Sequence, residues 1–243
     1  MTSAVKRQNG YDADAEIAKA DNYPLVRTMT VGTSPLLPSY HPVPELQALP
    51  QLPWSVAGKD TVGLGNWTAT SAVCWYYAKT LFDKTNVPQG IISSNWGGTF
   101  IQSWIDNSTN AKCSAVSGVD GKDNHPGGQY PPPAVAMDAS RQPWAFSNTT
   151  ASAARGTAGQ APSPFNGYGV LFNSMIYPFT VGPMSLRSFI WFQGEANCGQ
   201  PAYYACAQPA MVSSWRKYFN NPNAFFGYVE LEPSDYMSAN IVS

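Results

Sequence analysis

Gln193, Gly194, Glu195 and Asn197 stand at the end of an apolar, β-rich run, Ser188 to Phe192. That run is too short for an ordinary helix, and its aromatic and β-branched content suits a strand covered on both faces. Polar side chains at the mouth of such a strand must find partners or carry a desolvation cost of about 1–3 kcal/mol each. The carboxyl ends of strands in open α/β sheets are also where ligand sites form. A second place of this kind is Asn95-Trp-Gly-Gly-Thr99, where a strand over Gln89 to Ser94 passes into a helical turn from Phe100 to Ile105. Gly97 and Gly98 allow backbone N–H groups to come close to a ligand, with the positive potential of a helix start behind them. This is the chemistry of an oxyanion hole, in which one donor is worth on the order of 10²–10³ in rate.

The elements that must position these turns alternate along the chain. Ala13 to Ala20 reads as a short helix and Pro24 to Val31 as a strand. From Gly32 to Pro53 prolines interrupt any periodic pattern, so an extended surface course is expected, with His41 as a loop histidine. Thr70 to Thr85 is a helix with a Thr or Ser cap and a stripe through Val73, Tyr77 and Leu81. Tyr168 to Tyr177 is a helix stopped by Pro178, Tyr203 to Phe219 a helix interrupted by Pro209, and Ala224 to Leu231 a strand. Helix, strand, glycine turn and helix in series predict an α/β domain with a mainly parallel sheet. No sustained period runs from Asp106 to Asn166, so residues 106–166 are expected to form a long irregular insertion in a single domain over 1–243.

Charged residues make up 12% of the 243 and the formal net charge is -1, which leaves no basic face for nucleic acid or anionic lipid. Eight Trp and thirteen Tyr in so uncharged a chain suit a protein that stacks sugars. No run approaches the roughly 18 apolar residues of a membrane helix, so no membrane partner is expected. The sequence from Met1 to Arg7 lacks the apolar stretch of a signal peptide. Sequons at Asn66, Asn107 and Asn148 and an even number of cysteines nevertheless fit an oxidising secretory route, so the natural N-terminus is expected upstream of Met1. Cys198 and Cys206, near each other in sequence, are expected to pair, and Cys74 to be a small buried apolar residue. With the cysteines scattered and both histidines in loops, neither a metal nor a cofactor is expected.

Ser71-Ala-Val-Cys-Trp75, Gly90 to Thr99 with Trp104, Leu171-Phe-Asn-Ser-Met-Ile176 and Trp191-Phe-Gln-Gly-Glu-Ala-Asn197 resemble, in order and spacing, the sialate O-acetylesterases. These are SGNH-type hydrolases, and the resemblance implies a three-layer α/β/α sandwich, incomplete at both ends. It also implies removal of acetyl groups from sugar hydroxyls, typically the 9-O-acetyl group of sialic acid, through a serine acyl-enzyme with His and Asp behind it. The partner would then be an acetylated sugar or sialoglycan. Site residues carried over by residue match are Gly97 or Gly98 as backbone oxyanion donor, Gln193 with Glu195 lining and bracing the hole, and Asn197. Ala196 stands where relatives usually have Ser.

The Gly-Gln-Ser-Asn-type block with the nucleophile and the Asp-x-x-His-type block with the base are absent from these residues. The resemblance places the first before Met1 and the second after Ser243, so residues 1–243 alone are expected to be inactive. Ser93 and Ser94 lack the surroundings of a nucleophile elbow and read as strand-end or capping serines. Asp123 and His125, in the irregular segment before the Gln-Gly-Glu turn, read as loop residues. Two other functions stay open, a non-catalytic fragment that binds acetylated glycans and a truncated product.

Overall fold

Val26, Thr28 and Thr30 turn inward in alternation with Arg27 and Met29, the two-residue period of a strand with one covered face. A computed structural model describes residues 12–32, 39–63, 70–117, 167–198 and 200–231. Within these, helix α1 spans Ala13–Lys19 and strand β1 spans Val26–Thr30. Strand β2, Leu52–Val56, starts in the last residues of the proline-rich stretch that the sequence assigns to an extended surface course. It pairs antiparallel with β1, and Pro53, which has no N–H to give, lies beside a register shift between Thr28 and Thr30. A short helix α2, Lys59–Val62, precedes α3, Ala72–Thr85, and strand β3, Gln89–Ser93, then pairs in parallel with β1. The sheet order is therefore β2-β1-β3, mixed rather than wholly parallel.

Ser71 caps α3 through a 3.5 Å bond from the Cys74 N–H, and Asn86 ends the helix in the left-handed conformation at φ 54°. Its buried stripe runs through Ala72, Trp75 and Ala78, not through Val73, Tyr77 and Leu81. Aromatic residues lie on every side of this helix, and the Trp75 indole wins the inner face because its N–H reaches the Glu16 carboxylate at 3.0 Å. Lys79 meets the same Glu16 oxygen at 2.6 Å, which leaves that buried carboxylate paired. Tyr77 stacks instead on Phe225.

The second half of the described chain is a β-α-β unit. Strand β4, Ser188–Trp191, and strand β5, Phe225–Tyr228, pair in parallel and are joined by helix α5, Pro201–Tyr218. Trp191 and Phe189 of β4 pack edge to face on Trp215 of α5, and Trp104 closes on Trp191 from below the glycine turn. The Trp215 N–H donates to the Trp104 carbonyl at 3.0 Å, so this aromatic layer also carries a directional bond.

Two stretches depart from expectation. The start of the presumed irregular insertion is helix α4, Asn107–Ser117. It has no apolar stripe to betray it. Its N-terminus is set by Asp106, which accepts from the Thr109 N–H and from the hydroxyls of Ser108, Thr109 and Ser214. Burial pushes the Asp106 carboxyl up, yet these bonds outweigh it and hold the group below the usual carboxylate range. Two of those hydroxyls belong to the Asn107 sequon, whose Asn107 oxygen is buried, so here the Asn-Ser-Thr pattern builds a helix cap. The second departure is Phe172–Ile176, a π-helical turn where an α-helix was expected. The sequons at Asn66 and Asn148, like Asp123 and His125, lie outside the described residues.

The expected Cys198–Cys206 pairing is overturned, because Cys206 on α5 is bonded to Cys113 on α4 with 5.6 Å between their Cα atoms. Cys113 faces α5 from the buried side of α4, whereas Cys198 ends the turn before α5 begins. A loop of 93 residues closed in this way is stabilised by about 4–5 kcal/mol in the chain-entropy picture. Cys113→Ser is expected to lower unfolding stability by about 2–4 kcal/mol, and an unreduced peptide map should join Cys113 to Cys206. A map joining Cys198 to Cys206 would contradict the fold described.

Candidate functional site

The two turns singled out by their residue types meet. The glycine turn follows β3, and the Gln-Gly-Glu turn follows β4. Gly98 has φ +73°, a conformation open to glycine at little cost, while Gly97 carries no such constraint. A Cβ at either position would meet nothing within 4 Å. Both glycines are exposed, and neither N–H donates to another described residue. Behind them the turn is fixed: the Thr99 hydroxyl donates to the Trp96 carbonyl at 2.8 Å and accepts the Trp104 indole N–H at 3.0 Å.

The Gln-Gly-Glu turn grips the same segment from the other side. Gly194, at φ 158° and ψ -32°, bends the chain out of β4 through a region barred to side-chain-bearing residues, and the single helical turn Glu195–Asn197 follows. Gln193 Nε2 then donates to the Thr99 carbonyl at 3.1 Å and to Asn197 Oδ1 at 2.7 Å. Asn197, fully buried, also accepts the Ile101 N–H at 2.9 Å. Its own Nδ2 donates to Gln102 Oε1 at 2.9 Å and Gln200 Oε1 at 3.3 Å, and Gln102 donates to Gln200. Asn110 of α4 extends this layer by donating to the carbonyls of Gln102 and Ile105 and accepting from Tyr203.

The structure thus brings Gly97, Gly98, Gln193 and Asn197 together, with Asn197 at the centre. Glu195 sits in the half-buried turn beside them. Burial raises the Cys198 and Tyr204 groups, and the Glu195 charge adds to both rises. The bracing bonds to Gln193 come from Asn197 and from Tyr204, whose hydroxyl donates to the Gln193 carbonyl at 3.0 Å. Gln102, Gln200 and Asn110 were missed by sequence reasoning. Their only signal is polarity in stretches that the fold buries, which a pattern search does not separate from surface polarity.

The serines beside the turn are otherwise occupied. Ser93 Oγ is buried and accepts the Ser71 N–H at 3.1 Å, and Ser94 Oγ donates to the Met175 carbonyl at 3.3 Å. His41, in an exposed loop tied by Asn173 through the carbonyl of Ser39, bonds through its backbone to the Ser39 hydroxyl. Among the described residues no serine hydroxyl is paired with an imidazole, and no three His, Cys, Asp or Glu side chains gather as metal ligands.

The exposed glycine turn after β3 is thus clamped by the polar turn after β4. The chain is 28% identical over 236 residues to the sialate O-acetylesterase of Mus musculus, which takes in 95% of this chain and 41% of that relative. The sialate O-acetylesterase of Homo sapiens is 28% identical over 211 residues, 86% of this chain and 32% of the relative. Among solved structures, a carbohydrate acetylesterase from Xanthomonas citri matches with a TM-score of 0.60 and 23% identity, over 90% of this chain and 37% of that one. No protein-family model matches the chain. The chain is a homologue of the sialate O-acetylesterases and spans about two fifths of the length of the murine relative.

Asn197→Ala removes the acceptor of the Ile101 N–H and of Gln193 together with the donor to Gln102, each left unmade in a buried layer. At about 1–3 kcal/mol for each orphaned group, the expected loss in a urea unfolding measurement is about 3 kcal/mol or more. A loss under about 1 kcal/mol would show that Asn197 is not the centre of the layer.

Proposed function

We propose that this chain supplies the oxyanion edge of a carbohydrate O-acetylesterase of the sialate type. The observation that carries the reading is the exposed glycine turn, where the N–H groups of Gly97 and Gly98 have no acceptor among the described residues and a Cβ would meet nothing within 4 Å, on a turn hydrogen-bonded from behind through Thr99. In acyl transfer a serine oxygen adds to the acetyl carbonyl carbon, the carbonyl electrons move to oxygen, and that oxyanion needs donors already in place. The histidine takes the serine proton as this bond forms, collapse of the tetrahedral species expels the sugar oxygen, which takes that proton and leaves as a hydroxyl, and water, deprotonated by the histidine, then releases acetate from the serine. The substrate is an acetylated sugar, with O-acetylated sialic acid as the first candidate because the relatives are named sialate O-acetylesterases, and its 9-O-acetyl ester as the form that the sequence resemblance implies. A three-layer sandwich, with the two described sheets as parts of one central layer, is the fold in which this edge would sit. The Cys113–Cys206 bond favours an oxidising, secretory setting.

The serine and histidine of this chemistry are not assigned to any described residue. The described residues by themselves offer no activated nucleophile, since a serine hydroxyl without a positioned base is a weak nucleophile. The absence of a serine–imidazole pair among the described residues equally favours a second reading, a module that binds acetylated glycans without cleaving them.

Gly97→Ala separates structure from function, because the added methyl group meets no neighbour and no positive φ. It should change stability by less than about 0.5 kcal/mol. In a protein that also carries the serine and Asp-His blocks it should lower kcat on 9-O-acetylated sialic acid by about tenfold or more, by crowding the oxyanion. Unchanged kcat would remove Gly97 from the site. Binding of the acetylated sugar with no acetate release from that longer protein would favour the second reading.

A further inference from the structure

Asn110 and Cys113 lie three residues apart on α4, and Tyr203 and Cys206 three apart on α5, so each pair shares one face of its helix. The same two faces are therefore tied twice, by the Cys113–Cys206 disulfide and by the Tyr203 hydroxyl, which donates to Asn110 Oδ1. Only about 4.5 Å of rise along each helix separates the two ties. Burial, with Tyr168 nearby, pushes the Tyr203 hydroxyl well above its ordinary range, so it stays a donor. Asn110 is fully buried and cannot turn its amide, because Nδ2 is taken by the carbonyls of Gln102 at 2.9 Å and Ile105 at 2.8 Å. These carbonyls belong to the single turn Ile101–Trp104 and the residue after it. The Ile101 N–H of that turn reaches Asn197, and its Trp104 indole reaches Thr99, directly behind Gly97 and Gly98.

We propose that the Cys113–Cys206 disulfide acts on the candidate site as well as on the fold, holding the glycine turn in place through the positioning residues Tyr203 and Asn110, and that its reduction disables the oxyanion edge while the fold persists. What the edge does rests on the esterase reading, but its coupling to the disulfide does not. Cys113 is buried and Cys206 half-buried, so a thiolate of an attacking dithiol meets Cys206 Sγ first. A mixed disulfide forms there and Cys113 leaves as a thiolate that takes up a proton. The second thiolate of the dithiol then displaces Cys206 in the same way, and the dithiol departs as its own disulfide, having passed two electrons to the protein. Two thiols need more room than a bonded pair of sulfurs, and a close-packed interior transmits that displacement instead of absorbing it. The interhelical bond that feels it is Tyr203–Asn110, whose geometry tolerates little change. Helix α4 does not come away, because Asp106 still accepts from the Ser214 hydroxyl of α5 at 2.6 Å.

Two measurements test this. The first compares backbone hydrogen exchange in this chain before and after reduction by a dithiol. The Ile101 amide should speed up at least about tenfold more than that of Thr28, which lies in β1 of the other sheet. An equal rise at both, which a loss of global stability alone would give, or no rise at Ile101, would overturn the coupling, whether or not the protein is an esterase. The second measurement uses a longer protein carrying the serine and Asp-His blocks. Reduction should lower kcat on an O-acetylated sugar by about tenfold or more, with KM moved less than about twofold. Tyr203→Phe with the disulfide intact should lower kcat to a similar degree, and reducing that variant should add little, because both changes act through one bond. Unchanged kcat on reduction, or two losses that simply multiply, would overturn the positioning role. No acetate release from the oxidised longer protein would count against the esterase reading alone, and the exchange comparison would still decide the coupling.

Discussion

Asn197 Oδ1 accepts two hydrogen bonds in a site with no water-facing surface, one from the Ile101 backbone and one from Gln193. Everything at the candidate site depends on that convergence. The glycine turn and the Gln-Gly-Glu turn leave different strands, β3 and β4, which belong to separate sheets among the described residues. No backbone ladder there registers one against the other. The register is supplied instead by a buried amide layer, Gln193, Asn197, Gln102 and Gln200, with Asn110 behind it. In a low-dielectric interior such bonds are stronger than in water, and leaving one unmade is costly, so the layer has one favourable arrangement.

A hydrogen-bonded support of this kind suits the proposed oxyanion role. Donors that stabilise a developing charge help most when they need not reorganise, and the N–H groups of Gly97 and Gly98 are backbone atoms fixed by Thr99, Trp104 and Gln193. The aromatic layer of Trp104, Trp191 and Trp215 packs edge to face beneath them, and its indole N–H groups end in hydrogen bonds at Thr99, Tyr204 and the Trp104 carbonyl. The Trp-Gly-Gly-Thr and Gln-Gly-Glu blocks are tied to each other in this construction, Gln193 donating to the Thr99 carbonyl and Ile101 to Asn197.

Much of this is legible in the sequence itself. The strands at Val26–Thr30, Gln89–Ser93, Ser188–Trp191 and Phe225–Tyr228 follow from short β-rich runs, and α3 from its cap at Ser71. Helix α4 was hidden because its inner face is Asn110 and Cys113 rather than an apolar stripe, and cap chemistry at Asp106 does the work of hydrophobic patterning. The disulfide was misread because nearness along the chain is no measure of nearness across two helices 93 residues apart. At the site, residue types picked out Gly97, Gly98, Gln193, Glu195 and Asn197, but they could not say which way an amide turns. Only the fixed donor at Ile101 decides that Gln193 gives both N–H groups inward.

The central claim is that the clamped glycine turn offers two backbone donors to an oxyanion. It is tested most directly by following backbone amide shifts while titrating the protein with methylphosphonate, a tetrahedral anionic mimic of that charge. The Gly97 and Gly98 amide protons should move downfield together and saturably in wild type, and in Asn197→Ala the response should be lost. Saturable shifts centred away from this turn, or an unaltered response in Asn197→Ala, would contradict the account.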